Sequence, residues 1–175
     1  TKDTSVPIDP RVFFFVLGQQ ARDSETAERY ARARDRRASG RGGARGQHTI
    51  SQYAFMANVS LPENALPGFY TPAEARRQAT QGSQPKAMLV YFNNDIAKPC
   101  KDQNEILKDE RFQEIAQKAM FGWADIRDFP QFAQQMGVWS VPTWVIFDRS
   151  GALRGKHRGI VSIDQLENAI SYVEQ

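Results

Sequence analysis

Cys100 is the residue best suited to covalent chemistry, because it is the only cysteine among the 175 residues of the chain. It follows Ala97, Lys98 and Pro99, and a strand-like apolar run at residues 89–92 precedes this segment. Thiol–disulfide exchange begins with an accessible thiolate and needs a second thiol to resolve the mixed disulfide. A single cysteine therefore supplies at most half of that cycle, and it excludes an internal disulfide framework.

The segment from Leu89 to Lys101 resembles the active-site strand, turn and helix start of the thioredoxin superfamily. That family carries two cysteines separated by two residues here, commonly followed by lysine. In the resemblance, Ala97 stands at the position of the first cysteine, which attacks from the exposed start of a helix. Cys100 stands at the second, sheltered position. Because a sheltered thiol is usually inert, we expect the chain as it stands to have little exchange activity.

A second element of the same family lies 42 positions after Cys100, at Pro142. The segment from Val138 to Phe147 is similar to the family's cis-proline loop and the strand that follows it. The resemblance implies that the Val141–Pro142 bond is cis, an isomer that only an X-Pro bond makes cheap enough to keep. A turn at 148–151, a strand and a closing helix continue the family order. The resemblance covers residues 71–175 and implies an α/β fold, a thioredoxin-like mixed sheet flanked by helices.

The resemblance also implies a groove that binds protein clients beside the catalytic positions Ala97 and Cys100. Its expected substrate-binding residues are Lys98, Pro99, Trp139, Val141 and Pro142. The clients would be proteins with thiols or disulfides, and the partners could include a redox partner protein. The resemblance implies no cofactor and no metal, and the two histidines, His48 and His157, lack a cysteine or acidic partner at ligand spacing.

Two further positions depart from the family pattern. Tyr91 stands where thioredoxins keep a buried acid that helps proton transfer, and Ile96 replaces the usual tryptophan. For Ala97, two explanations stay open: a natural loss of the first cysteine, or an engineered replacement, since Cys to Ala is a minimal change. The sequence is therefore interpreted as a thiol–disulfide exchange protein with an incomplete site. The alternative is a redox-inactive, protein-binding adaptor module with a thioredoxin fold.

Residues 1–70 are predicted to form an N-terminal extension, and residues 71–175 the thioredoxin-like domain. Within the extension, 12–17 is an apolar run typical of a buried docking strand, 24–37 favours an Arg-rich helix, and 39–46 is a Gly- and Arg-rich loop expected to be flexible. Residues 22–47 hold eight arginines and four acidic residues, a net charge of +4, whereas the rest of the chain sums to −1, so the basic character of the chain is local to this segment. Nucleic-acid binding there is disfavoured because acidic residues dilute the charge.

Capping patterns predict the helices of the second part. Thr71 should cap a helix that ends before Gly82, with Glu74 completing a capping box, and Ser162 should open the last helix in the same way with Gln165. Residues 86–92 and 120–126 read as strands, the first of them central in the sheet. The three tryptophans, Trp123, Trp139 and Trp144, are expected mostly in or near the core.

The sequence gives weaker indications of location. No run approaches the ~20 apolar residues of a membrane span, which argues against a transmembrane segment. A resemblance to exported bacterial oxidoreductases with N-terminal extensions favours an exported, periplasmic location over the cytoplasm. A first residue other than methionine fits the removal of a leader, and it fits a chosen boundary of the expressed segment equally well.

Overall fold

The computed structural model describes residues 3–8 and 59–175, which belong to one compact unit. The elements predicted at 12–17, 24–37 and 39–46 lie outside the described residues. The elements are, in chain order, β1 (Val6–Pro7), β2 (Phe69–Tyr70), α1 (Pro72–Gln81), β3 (Met88–Asn93), α2 (Lys98–Leu107), α3 (Glu110–Ile115), β4 (Met120–Asp125), α4 (Pro130–Gln135), β5 (Ser140–Val141), β6 (Thr143–Phe147), β7 (Leu153–Arg158) and α5 (Ile163–Val173).

A five-stranded mixed sheet forms the centre of the fold, in the order β2-β4-β3-β6-β7. Strands β2, β4 and β3 run parallel, whereas β6 pairs antiparallel with both β3 and β7. A separate two-stranded ladder joins β1 to β5. The predicted α/β fold is therefore confirmed, with β3 at the centre of the sheet as the apolar run at 86–92 indicated.

Aromatic side chains dominate the core on one face of this sheet. The register places Tyr91 between Trp123 and Trp144, and its ring stacks on that of Trp144 with the centroids 4.6 Å apart. Side chains from α2, α3 and α5 cover this face, among them Leu107, Phe112, Leu166 and Ile170. Burying each large apolar side chain contributes about 1.5–3 kcal/mol, so this cluster is a main source of stability.

Helix α1 covers the opposite face of the sheet. A Cβ atom added at Gly122 would lie 3.4 Å from the Cα atom of Pro72, so the helix crosses β4 at close range. On this same face of the sheet, the ring of Phe92 on β3 packs against the ring of Phe132 on α4, with the ring centroids 5.0 Å apart. Strands β3 and β4 are consequently buried along their whole length, as expected for parallel strands covered on both faces.

The helix caps follow the sequence patterns with one difference. The Thr71 hydroxyl accepts a hydrogen bond from the backbone N–H of Glu74, and the helix ends at Gln81, before Gly82, as predicted. The Glu74 carboxylate accepts hydrogen bonds from the Arg77 and Gln78 side chains. It does so in place of the predicted hydrogen bond from the Thr71 backbone N–H, which would have completed the capping box.

The capping box at the last helix is complete. The Ser162 hydroxyl accepts from the Gln165 N–H at 3.2 Å, and the Gln165 side chain accepts from the Ser162 N–H at 2.8 Å. This confirms the start of α5. None of the helices in the described ranges has the length and apolar character needed to span a bilayer.

Strand β2 lies directly before the predicted domain boundary. Phe69 and Tyr70 pair with Phe121 and Gly122 of β4, and the Phe69 side chain is buried in the aromatic core. The boundary at residue 71 stays a prediction.

Candidate functional site

The candidate site is built on the turn between β3 and α2. Ala97 is the N-cap residue of α2, with extended backbone and no side-chain cap bond, and Pro99 occupies the first turn of the helix. The backbone N–H groups of Cys100 and Lys101 both donate to the Ala97 carbonyl at 3.1 Å. Ala97, Lys98, Pro99 and Cys100 therefore lie within one helical turn.

The Cys100 thiol is fully buried, with 0% of the residue exposed, whereas Ala97 is half-buried at the helix start. Burial, with a smaller contribution from the nearby charge of Asp125, raises the pKa of the Cys100 thiol to about 11. The backbone N–H of Asn94, 3.4 Å from the Sγ atom, offsets part of this effect. The thiol is therefore protonated at neutral pH, and a protonated, shielded thiol is a poor nucleophile.

Tyr91 occupies the place where the sequence resemblance expects an acid. Its hydroxyl lies 2.8 Å from Oδ1 of Asn104 and 3.3 Å from the carbonyl oxygen of Cys100, so it can donate to either acceptor. Burial raises the pKa of the Tyr91 phenol well above its usual range. The phenol consequently stays neutral and can donate a hydrogen bond, but it cannot accept a proton as a carboxylate would.

A charged group at the carboxyl end of β4 adjoins the turn. Asp125 is buried and pairs in the register with Asn93 at the end of β3. Arg127 donates to both Asp125, at 2.6 Å, and Asp95, at 2.7 Å. These partners raise the pKa of Arg127 above its usual range, so the guanidinium stays charged. Because Asp95 lies in the β3–α2 turn and Asp125 ends β4, Arg127 links these two parts of the structure.

Gln103 is a buried polar residue next to the site, and it was not identified from the sequence. Its side chain is 0% exposed, and its Nε2 donates to the Val161 carbonyl at 3.0 Å. Its Oε1 accepts from the Val161 N–H at 2.8 Å and from Nε1 of Trp144 at 3.2 Å. The available signal was its position three residues after Cys100 and four before Leu107, on the apolar stripe of α2.

The loop before β6 forms the other side of the candidate site. The Val141–Pro142 peptide bond is cis, the isomer implied by the resemblance. The Thr143 hydroxyl donates to the Ser140 carbonyl at 2.7 Å across this bond. Because Thr143 pairs with Phe92, Pro142 lies at the same end of the sheet as the turn that follows β3.

The expected client-binding residues differ in exposure. Lys98 is exposed and pairs with Asp102 at 2.8 Å, and Pro99 is half-buried. Val141 and Pro142 are buried. Trp139 is 57% exposed rather than in the core, because it lies on the loop before β5 and not on a strand of the main sheet.

Ile96 is a second apolar side chain at the surface. It is 73% exposed and directly precedes Ala97, at the position where the resemblance expects a tryptophan. An exposed isoleucine beside a helix start adds apolar surface to the turn, although single exposed apolar residues are common on proteins.

The described residues contain no group of three or more His, Cys, Asp and Glu side chains that could hold a metal ion. His157 is half-buried on β7 opposite Trp144. His48 lies outside the described ranges.

Comparisons with solved structures find thioredoxins over about three-fifths of the chain. Mitochondrial thioredoxin 3 from Saccharomyces cerevisiae, in its oxidised form, is 24% identical, with 59% of this chain and 92% of that chain covered and a TM-score of 0.47. A mutant thioredoxin from Halobacterium salinarum is 20% identical, with 63% and 96% covered and a TM-score of 0.49. No curated protein matches the chain significantly.

A comparison with known protein families matches residues 47–174 to the family described as the thioredoxin-like domain. That match spans more than half of the chain and includes the β3–α2 turn and the cis-proline loop. The chain therefore belongs to the thioredoxin-like domain family and carries a thiol–disulfide redox fold.

Proposed function

We propose that this chain carries the site of a thiol–disulfide exchange protein for protein clients, with one of the two thiols of that site missing. As it stands, it binds clients at the loop that contains Trp139, Val141 and Pro142, and it does not turn them over. The observation that carries the proposal is the position of Ala97. A half-buried alanine caps α2, three residues before a fully buried Cys100. The turn thus keeps the placement of a dithiol site and lacks one sulfur atom.

A cysteine at position 97 would complete the chemistry. Its thiolate would attack one sulfur of a client disulfide, and the other client sulfur would leave as a thiolate. The Cys100 sulfur would then attack position 97, release the second client thiolate and leave a disulfide between 97 and 100. Two electrons would pass from the protein to the client in these two steps. Without position 97, the exposed attacking group is missing.

A second candidate function is that of a redox-inactive adaptor, and Tyr91 is the observation that favours it. The neutral phenol cannot serve as a proton acceptor, and the raised pKa of Cys100 leaves its thiol protonated. In this case the same loop would bind a protein partner and position 97 would have no chemical role. The two candidates share client binding and differ in the effect of restoring a thiol.

Client binding can be tested with a thiol-free, extended polypeptide, for example fluorescein-labelled, S-carboxymethylated insulin B chain. Fluorescence anisotropy should detect binding to the full chain. Trp139→Ala should weaken it by roughly tenfold or more, because truncating a central aromatic contact often has an effect of this size. Tyr172→Ala removes an exposed aromatic from α5 and is the matched control. Equal effects of the two substitutions would contradict the proposal.

A further inference from the structure

The loop proposed to bind clients already carries a strand from its own chain. Residues of β1 pair antiparallel with β5, with Val6 opposite Val141 and Pro7 opposite Ser140. The N–H of Ile8 extends the ladder by donating to the Trp139 carbonyl at 2.8 Å. The backbone edge beside the cis-proline is therefore occupied by residues 6–8.

The placement of Pro7 fits this ladder. In an antiparallel pair, positions that exchange hydrogen bonds alternate with positions that do not. Because Ile8 donates to Trp139, its neighbour Pro7 falls at a position where no N–H is required. The missing donor of proline therefore does not disrupt the pairing.

Two further contacts fix the segment. The Ile160 N–H donates to the Thr4 hydroxyl oxygen at 2.7 Å, and the Ile8 side chain is buried. The backbone of Gly159, with φ of +95°, lies close to Thr4: a Cβ atom at position 159 would be only 2.6 Å from the Thr4 hydroxyl oxygen. The close approach depends on a glycine at 159, since other residues rarely adopt this backbone conformation.

The contact between residues 4–8 and the rest of the structure is nevertheless limited. The ladder is two residues long and is separate from the five-stranded sheet. Isolated two-stranded pairings are marginally stable in water, and only Ile8 among residues 3–8 is buried. The segment can thus be released without loss of the main core, because the buried cluster of that core, among the described residues, consists of side chains from residue 69 onward.

We propose that residues 4–8 act as an internal ligand of the β5 edge, which an extended segment of a client protein must displace before it can bind there. The inference rests on the proposed function. A client would add as a strand against Ser140 and Val141, which is a common mode of peptide recognition. The apparent affinity for clients is then reduced by the fraction of molecules in which the edge is open.

Two variants of the full chain test this with the labelled, carboxymethylated insulin B chain. Ile8→Pro removes the N–H that bonds to Trp139 and the buried side chain, and it should strengthen binding by about tenfold. Ile8→Val keeps the N–H and most of the apolar contact, so it should bind as the native chain does. Urea unfolding should show that both variants keep the native core.

The converse variant locks the strand in place. Residues Pro7 and Ser140 face each other at a non-hydrogen-bonded position, where Cα atoms lie about 4.5 Å apart and a disulfide can form. Oxidised Pro7→Cys/Ser140→Cys should not bind the probe, and reduction should restore native binding. The native chain with and without reductant is the control.

The outcomes separate the two proposals. If the native chain and Ile8→Pro bind equally and the oxidised lock also binds, the internal ligand is wrong while client binding stands. If no form binds the probe, including Ile8→Pro and the reduced lock, the proposed function fails and the inference fails with it. Tighter binding by Ile8→Pro together with loss of binding in the oxidised lock supports both.

Discussion

The backbone N–H of Asn94 points at the Sγ atom of Cys100 across 3.4 Å, so the turn after β3 closes over the only thiol of the chain. This bond is the main stabilising contact of the thiolate form, and burial outweighs it. In a dithiol protein a second cysteine at the helix start would take the exposed role. Here Ala97 occupies the helix start, so the site has no exposed thiol, and its one sulfur atom, in Cys100, is buried and protonated.

The first prediction concerns the reactivity of Cys100. With a pKa of about 11, only about one thiol in ten thousand is ionised at pH 7. Dithionitrobenzoate should therefore label the native chain slowly, and the rate should rise about tenfold per pH unit toward pH 11, because only the thiolate reacts. The urea-unfolded chain is the control and should react rapidly at mildly alkaline pH. A plateau of the native rate near pH 8–9 would mean that the thiol is not shielded.

The second prediction concerns Gln103. Gln103→Leu leaves the Trp144 indole N–H and both backbone groups of Val161 without their side-chain partner in a buried setting. Each unsatisfied group costs about 1–3 kcal/mol, so the free energy of unfolding should fall by about 3 kcal/mol or more. Gln113→Leu, on the exposed side of α3, loses only an exposed hydrogen bond to the Pro67 carbonyl, so it should change the free energy of unfolding by no more than about 0.5–1 kcal/mol. Similar urea midpoints for the two variants would show that the Gln103 network contributes little.

The third prediction separates the ring of Tyr91 from its hydroxyl. Tyr91→Phe keeps the stacking on Trp144 and loses the bond to Asn104, so it should cost about 1 kcal/mol of unfolding free energy. Tyr91→Ala also empties the centre of the aromatic core and should cost about 3–5 kcal/mol. Thermal or urea unfolding measures both values. If Tyr91→Phe lowered the free energy of unfolding as much as Tyr91→Ala does, the hydroxyl rather than the ring would be the main source of the stability that Tyr91 provides.

The fourth prediction concerns two glycines near β7. Gly159→Ala forces a side chain into a left-handed conformation and against Thr4, and it should destabilise the protein by about 1–2 kcal/mol. Gly155→Ala meets no atom within 4 Å and has no unusual φ, so it should be neutral or slightly stabilising. Equal unfolding free energies for the two variants would show that the backbone at 159 adapts.

Local signals in the sequence predicted much of the fold. The capping residues Thr71 and Ser162 place two helix starts, and the apolar run before the Ala-x-x-Cys segment identifies the central strand. These features depend on neighbours in the chain, which is why a single sequence reveals them. The resemblance to thioredoxins extended this to the order of the later strands.

The contacts that a sequence cannot reveal join distant segments. Gln103 bonds to Val161, 58 residues away, and a lone glutamine on an apolar stripe does not identify its partner. The pairing of Val6 with Val141 had no signal either, because a short segment containing Pro7 does not read as a strand. Trp139 was grouped with the tryptophans expected mostly in or near the core, although its place in the loop before Pro142 also made it a candidate client-binding residue, and that loop leaves it 57% exposed.

The most direct test of the account is turnover by Ala97→Cys. In the insulin reduction assay with dithiothreitol, we expect this variant to accelerate insulin precipitation, because a thiol at the half-buried start of α2 is more accessible than Cys100 and the helix dipole favours its thiolate. The native chain and Ala97→Ser should match dithiothreitol alone. If Ala97→Cys were as inert as these two controls, position 97 would not be the only missing part, and the redox-inactive adaptor would be the better account.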